Sequence, residues 1–340
     1  MSLLEIENLS VSYLTDGGAV HAVRDVSLHV DAGESLALVG ETGSGKSTLA
    51  LALLGLLEAP GAVVEGEIRI EGTRLAPDNG RLRGKLRGGR IGMVFQDARG
   101  SLNPVLTIGS QLMEVLRAHQ DLSRKDANAA AQAVLGEVGI PEPGFLSRCY
   151  PAQLSGGMCQ RAAIALAICN RPALLIADEP TSALDPSIQA QILALLRMLQ
   201  DRHRLALLII SHDLALVSEA AERVAVIYHG NLIETGRTED VFRWPAHPYT
   251  SSLLACQPDL GHRWDHMPLA AISGSLPLDT QGFRGCSFAP RCPIAETRCS
   301  EALPPCLKIR DGHWASCFKP GGLSTRRDTS ARGAMANGGN

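Results

Sequence analysis

Aromatic residues are scarce: six Phe, three Trp and four Tyr among 340 residues. That is too few for the stacked platform on which single-stranded nucleic acid is held. Neither sign of charge is in surplus, with 32 Lys and Arg against 35 Asp and Glu. No global field therefore draws in a nucleic-acid backbone, and nucleic acid is not an expected partner. A basic leader is missing too. The opening "MSLLEIENLSVSY" sets Glu5 and Glu7 inside its apolar run, which argues against a signal peptide. Apolar runs are short, as in "LALLII" at 205–210, and none has the length of a membrane-spanning helix. No internal repeat is visible. What remains is a globular, cytoplasmic chain of two-domain size, with 45% hydrophobic and 20% charged residues.

The pattern of what is present is α/β. Residues 3–39 read as short strands with turn signals at "TDGG" and "DAGE". "ESLALVG" (34–40) is a continuous apolar strand, and "STLALALLGLL" (47–57) follows as a helix. Two more buried-strand runs, "ALLIAD" (173–178) and "LALLIIS" (205–211), flank a helix at 187–200. Asp185 is its N-cap, Pro186 its first residue, and Ile188, Ile192, Leu195, Leu196 and Leu199 its apolar face. Fully apolar strands alternating with helices predict a parallel sheet covered on both faces. Between about 97 and 165 the texture turns helical, and after about 245 it becomes rich in Pro, Cys and Gly.

"GETGSGKS" (40–47) fits G-x-x-x-x-G-K-[ST] between a strand and a helix, the context that gives the motif meaning. Gly40, Glu41, Thr42, Gly43, Ser44, Gly45, Lys46, Ser47 and Thr48 form the expected phosphate cradle. Backbone N–H groups and the helix N-terminus face the phosphates, Lys46 neutralises their charge, and the Ser47 hydroxyl ligates Mg²⁺. "LLIADEP" (174–180) supplies Asp178 to hold magnesium through water and Glu179 to polarise the attacking water. A second glycine-bearing run, "LSGGMCQR" (154–161), has Gly156 and Gly157 placed for backbone contact with another anion.

Together these motifs resemble the ATP-binding cassette (ABC) ATPases. The family's order is kept over about residues 3–240: Gln96 in "MVFQD" as the Q-loop glutamine, "LSGGMCQR" as the signature, "SALD" (182–185) as the D-loop and His212 in "ISHD" as the switch histidine. The resemblance implies a P-loop NTPase core at 1–96 and 166–245, with an N-terminal antiparallel β part and an inserted helical subdomain at 97–165. It implies ATP and Mg²⁺ as cofactors, with Gln96 joining Ser47 at the metal. Two cassettes would pack head to tail, so that Ser155, Gly156 and Gly157 grip the partner's γ-phosphate. Tyr13 has the place of the adenine-stacking aromatic, an ordinary strand tyrosine being the other reading. Cys159 stands where relatives carry a polar or basic residue, which predicts altered local packing only.

"FQDARGSLNPVLTIGSQLMEVL" (95–116), "HPYTSSLLACQPDL" (247–260) and "GCSFAPRCPIAETRC" (285–299) resemble the D-type ATPases of dipeptide and oligopeptide permeases. That branch implies a cysteine-bearing module at 246–320 and leaves 321–340 as a disordered tail. Its partners would be a homologous F-type ATPase, two membrane permeases and an extracytoplasmic binding protein. The chain would then lie peripherally on the cytoplasmic face of the inner membrane. Nickel, glutathione and antimicrobial-peptide importers use the same ATPase type, and a soluble non-transport cassette is the competing class. Against the latter, the chain has neither a second cassette nor a coiled-coil insertion. "RLRGKLRGGR" (81–90) reads as a solvated basic helix face rather than a binding patch.

Nine cysteines are many for a reducing compartment, and five lie in the last sixth of the chain. Cys286, Cys292, Cys299 and Cys317 have five, six and seventeen residues between them, without close C-x-x-C pairs. By spacing they suit an Fe–S cluster, zinc, or free thiols in a packed module. The resemblance implies a structural 4Fe–4S cluster on these four. Cys306, in "PPC", stands outside that set.

Overall fold

Two sheets organise the chain in the computed structural model, which describes residues 2–15, 18–57, 62–75, 84–182, 184–257, 272, 274 and 284–323. Strands β1 (Ser2–Thr15) and β2 (Gly18–Asp31) form a long antiparallel pair. On its other edge β1 pairs with β4 (Ala62–Ile70), which pairs with β5 (Thr73–Arg74). The sequence pattern suggests shorter strands here. The difference comes from bulges that absorb the polar breaks: Asn8 and Asp25 sit at φ 52° and 48°, and Asn8 Nδ2 donates to Asp25 Oδ1 at 2.7 Å.

The second sheet holds β3 (Ser35–Val39), β6 (Ile91–Val94), β7 (Leu174–Asp178), β8 (Ala206–Ser211) and β9 (Arg223–Tyr228) as parallel neighbours in the order β9-β3-β8-β7-β6. Beyond β9 the sheet turns antiparallel through β10 (Asn231–Arg237), β12 (His313–Ser316) and β11 (Cys306–Arg310). The three apolar runs thus form the centre of a parallel sheet. Alternation explains why they are apolar throughout. Leu36, Leu38, Leu174, Ile176, Leu208 and Ile210 face the antiparallel sheet, whereas Ala37, Val39, Leu175, Ala177, Leu207 and Ile209 face the helices. At about 1.5–3 kcal/mol for each fully buried Leu or Ile, neither face tolerates a polar substitution.

Helix α1 (Lys46–Leu54) lies between the two sheets. It stops short of the expected residue 57 because Gly55, at φ 62°, turns its N–H back onto the Leu51 and Ala52 carbonyls. The helical region holds α2 (Ala98–Ser101), α3 (Ile108–His119), α4 (Arg124–Glu137), α5 (Pro143–Leu146) and α6 (Gly156–Ile168). Thr107, Ser123 and Ser155 cap α3, α4 and α6, each accepting from a backbone N–H three residues on. Helix α7 (Pro186–His203) begins as the sequence predicts, with Asp185 accepting from Ile188 N and Pro186 leading. It extends three residues past the expected end. Four shorter helices follow: α8 (Leu214–Ala220), α9 (Thr238–Arg243), α10 (Pro248–Ala255) and α11 (Thr297–Glu301). No helix among the described residues is long and apolar enough to cross a membrane.

The C-terminal segment is stitched into the main sheet through β12 and a buried hydrogen bond. His313 Nε2 lies 2.7 Å from Glu234 Oε1, both side chains fully buried. Glu234 also accepts from the Ala246 and His247 N–H groups at 2.7 and 2.8 Å, so the charge is not left bare. Residues 324–340 of the tail read as disordered lie outside the described residues, as do 81–83 of the basic run. Within that run Arg90 donates to the Glu71 carboxylate.

Candidate functional site

The loop between β3 and α1 is built on glycines that no other residue can replace. A Cβ on Gly45, at φ 102°, would fall 2.1 Å from the Ala22 carbonyl oxygen, and one on Gly40 would fall 2.1 Å from that of Ile227. Within the loop Ser44 and Lys46 are buried, while Thr42, Gly43 and Ser47 open to solvent. The Lys46 ammonium folds inward, donating to the Gly40 and Glu41 carbonyls at 2.8 and 2.9 Å. Burial lowers its pKa, opposed by the carboxylates of Glu179, Asp178 and Glu41.

Asp178 closes β7 at the carboxyl edge of the sheet. Burial raises its pKa, and a hydrogen bond from the Ser47 hydroxyl works against that rise. Its Oδ1 is buried without a hydrogen-bond partner. A buried carboxylate oxygen beside a serine hydroxyl and close to a phosphate loop is a donor set of the hard-oxygen type that magnesium takes. Ser47 and Asp178 therefore fit the ion.

Glu179 follows in the left-handed region at φ 49°, a conformation costing a non-glycine residue about 1–3 kcal/mol. Its N–H donates to Ile210 O at 2.9 Å, tying the strained turn to β8. The turn aims the carboxylate at His212, whose Nδ1 lies 2.7 Å from Glu179 Oε1. Gln96, exposed just after β6, lines an open groove of about 500 Å³ together with Leu51, Met93, Asp97 and Asp178. Lys46, Ser47, Asp178, Glu179, His212 and Gln96 thus gather at one edge of the parallel sheet.

The signature run stands elsewhere. Ser155 caps α6 by accepting from Met158 N and, with Gly156, is exposed. The atoms nearest a Cβ at Gly156 and Gly157 belong to Leu184, just before α7, and Ile188, in its first turn, and not to the phosphate loop. Exposed backbone at a helix N-terminus is free to meet an anion from outside the chain. Cys159 is buried one turn on, with Sγ 3.6 Å from Pro151 O. Tyr13 is half-buried on β1 against the core of the antiparallel sheet.

Sequence reasoning missed what holds the loop from behind. Glu41 N donates to Tyr249 Oη at 2.9 Å, and both Glu41 carboxylate oxygens accept from Arg291, at 2.8 and 3.2 Å. Arg291 also reaches Tyr228 Oη at 3.3 Å. These contacts span 208 and 250 residues, and no local pattern announces them.

The four cysteines singled out by spacing converge. Cys286, Cys292, Cys299 and Cys317 line one small cavity with His247, Phe288, Ile294 and Phe318. Burial pushes the Cys286 thiol up to about 11, helped by the neighbouring thiols, and raises Cys292 and Cys317 as well. His247 is fully buried and held neutral, its pKa pushed down to about 3. Its Nδ1 accepts from Tyr249 N at 3.0 Å, which leaves the buried Nε2 with no partner. Soft donors converging on one cavity beside an orphaned imidazole nitrogen fit a metal group in donor type. In spacing they do not: among the described residues, no three His, Cys, Asp or Glu side chains stand close enough to hold a metal ion. Cys306 is exposed on β11, away from the set.

Two family models match the chain: ABC transporter over residues 23–182, and oligopeptide/dipeptide transporter, C-terminal region, over 233–299. The dipeptide transport ATP-binding protein DppD of Escherichia coli (strain K12) is 42% identical over 320 residues, covering 94% of this chain and 97% of its own. The oligopeptide transport ATP-binding protein OppD of Bacillus subtilis (strain 168) is 44% identical over 317 residues, covering 93% and 88%. A putative peptide import ATP-binding protein of Brucella abortus (strain 2308) is 45% identical over 316 residues, covering 93% and 94%. Among solved structures, the dimeric ATP-binding cassette MJ0796 bound to ADP and Pi is 28% identical with a TM-score of 0.62, covering 69% of this chain and 98% of its own. CbiO1 of Clostridium perfringens is 28% identical with a TM-score of 0.61, covering 71% and 90%.

Proposed function

The chain belongs to the ATP-binding cassette transporter family, and from that premise we propose that it is the ATP-binding and hydrolysing subunit of an importer of dipeptides or oligopeptides. The observation that carries the reading is the gathering of Lys46, Ser47, Asp178, Glu179 and His212 around one glycine-built loop. Lys46 leaves its carbonyl partners to meet the β- and γ-phosphates, and the loop's N–H groups fix their oxygens. Ser47 and Gln96, with Asp178 acting through water, would hold a magnesium ion, which when bound would neutralise phosphate charge. Glu179 takes a proton from the attacking water, and His212 holds the carboxylate in place. Ser155, Gly156 and Gly157 serve the nucleotide of a second cassette.

In this reading residues 1–96 and 166–245 are the ATPase core, 97–165 the helical subdomain and 246–320 the permease-type module. The partners are a homologous F-type ATPase, two transmembrane permeases and, through them, an extracytoplasmic binding protein. The chain sits peripherally on the inner membrane. Cys286, Cys292, Cys299 and Cys317 are the residues that would hold a 4Fe–4S cluster, drawn closer together than they stand here; what supports this is their convergence on one cavity beside His247. When bound, such a group would tie together loops that have little core of their own. Purification of the tagged chain from membranes tests the assignment. Recovery of permeases, with ATP-dependent uptake of labelled dipeptide by the reconstituted complex, is the expected result. Uptake of nickel or glutathione instead would change the substrate, and recovery without permeases would indicate a soluble cassette.

A further inference from the structure

Every polar group that Glu41 offers is used. Its N–H donates to Tyr249 Oη, its carbonyl accepts from Lys46 Nζ, and its carboxylate accepts two parallel bonds from Arg291. Two of those three partners come from the C-terminal segment. Arg291 is 7% exposed and Glu41 23%, unlike a surface pair such as Lys308 and Asp311 at 52% and 98%. A two-pronged guanidinium–carboxylate contact fixes orientation as well as distance, and partial burial spares it the screening that empties surface pairs of value.

Arg291 is itself fixed by the cysteine module. It ends a short turn, Ala289–Arg291, that runs directly between Cys286 and Cys292. The turn is closed by Ala289 N to Cys286 O, Arg291 N to Phe288 O and Cys292 N to Ala289 O, at 2.8, 2.9 and 3.3 Å. Phe288 packs edge-on against Tyr228 and Tyr249, with ring centroids 5.2 and 5.4 Å away. Main-chain bonds thus link Cys286 and Cys292 to the guanidinium, and Phe288 links the same turn to the aromatic cluster behind the loop.

We propose that Arg291 is a positioning residue for nucleotide, acting through Glu41 to hold the phosphate loop in its binding shape and coupling that shape to the packing of the cysteine module. A loop already ordered spends less conformational entropy when phosphate arrives, and so binds more tightly. This inference rests on the reading of residues 40–48 as the nucleotide loop.

The test is titration of the full chain with a fluorescent ATP analogue. Arg291→Met, which keeps a long side chain and removes the guanidinium, is expected to weaken binding about tenfold, within the usual range for neighbouring coupled residues. Glu41→Ala is expected to do the same, and the double variant to lose no more than Glu41→Ala alone. Cys286→Ser is expected to weaken binding in the same direction, with no further loss when Arg291→Met is added. Wild-type affinity in Arg291→Met, or losses that add fully, would overturn the proposal, because a residue that acts through Glu41 has nothing left to lose once Glu41 is gone. Tyr249→Phe removes a single oxygen and keeps the ring. If Arg291→Met fails to fold, unchanged affinity in Tyr249→Phe is the overturning result and a severalfold loss the supporting one. Lys46→Ala separates the two layers: affinity and hydrolysis both undiminished there would show that the loop is not the nucleotide site.

Discussion

His212 Nδ1 lies 2.7 Å from Glu179 Oε1, and the two side chains differ sharply in exposure, 60% for the histidine and 10% for the glutamate. The carboxylate is set by its strained turn and held from the solvent side by the imidazole. Glu179→Gln keeps the shape and removes the base. Hydrolysis by the assembled transporter is expected to fall about 10²–10⁴-fold while ATP stays bound. Single-turnover measurement beside nucleotide retention on a filter checks this, and unchanged turnover would remove Glu179 from the role.

Lys46→Ala should abolish nucleotide binding rather than slow the chemistry. The ammonium is held by the Gly40 and Glu41 carbonyls and stands ready to be exchanged onto phosphate. Positioning and charge neutralisation do nearly all the work in phosphoryl transfer, so losing this one charge is felt at the binding step. Equilibrium binding of labelled ATP by the purified chain is the measurement. Retained affinity with slowed hydrolysis would place Lys46 in catalysis alone.

The parts of this molecule visible in the sequence are those where chemistry and periodicity are local. Strands Ser35–Val39, Leu174–Asp178 and Ala206–Ser211 announce themselves because both their faces are buried, and Asp185–Pro186 announces α7 because cap and first residue adjoin. The nucleotide loop is legible because its spacing is set by phosphate geometry. The grip of Arg291 and Tyr249 on Glu41 is not, since tertiary packing alone brings them together. The hairpin of Cys306–Arg310 and His313–Ser316 is likewise hidden: its strands are only five and four residues long, and they extend the sheet through β12, which pairs with β10.

Ser155→Arg should separate binding from hydrolysis. The serine hydroxyl accepts a backbone bond from Met158 N at the start of α6, and losing such a cap costs about 1 kcal/mol, too little to unfold the region. The exposed guanidinium would instead fill the space another cassette's phosphate needs. Nucleotide binding by the lone chain is expected to stay normal, while ATPase activity of the complex falls. Lost affinity in the lone chain would put this run at its own nucleotide.

Gln96→Ala is expected to weaken transport more than nucleotide affinity. Gln96 borders the groove that Asp178 also lines, one residue before Asp97, whose carboxylate accepts from Gly100 N and starts α2. The glutamine thereby joins the nucleotide edge to the helical subdomain. Uptake by reconstituted vesicles, compared with ATP affinity of the same complex, makes the distinction. Equal losses would confine Gln96 to binding.

The cysteine cavity gives a prediction whose sign follows from burial. Burial raises the Cys286 thiol from the ordinary 9.0 to about 11, so the folded chain holds it protonated where an unfolded chain would ionise it. That contribution to stability is complete below pH 9.0 and is lost as pH rises toward about 11. In chelator-treated protein, alkylation of Cys286 should therefore reach half its maximal rate near pH 11 rather than 9, followed by mass spectrometry of the 286-containing peptide. A bound metal reverses this logic, because it holds thiolates at neutral pH. Protein purified without oxygen should be brown, carry about four irons per chain, and resist alkylation of Cys286, Cys292, Cys299 and Cys317 together until the iron is removed. Colourless protein with a single zinc, or Cys286→Ser and Cys299→Ser variants that keep their full iron, would overturn the cluster. Alkylation of Cys286 at the rate of a free thiol in chelated protein would show instead that the cavity does not close around it.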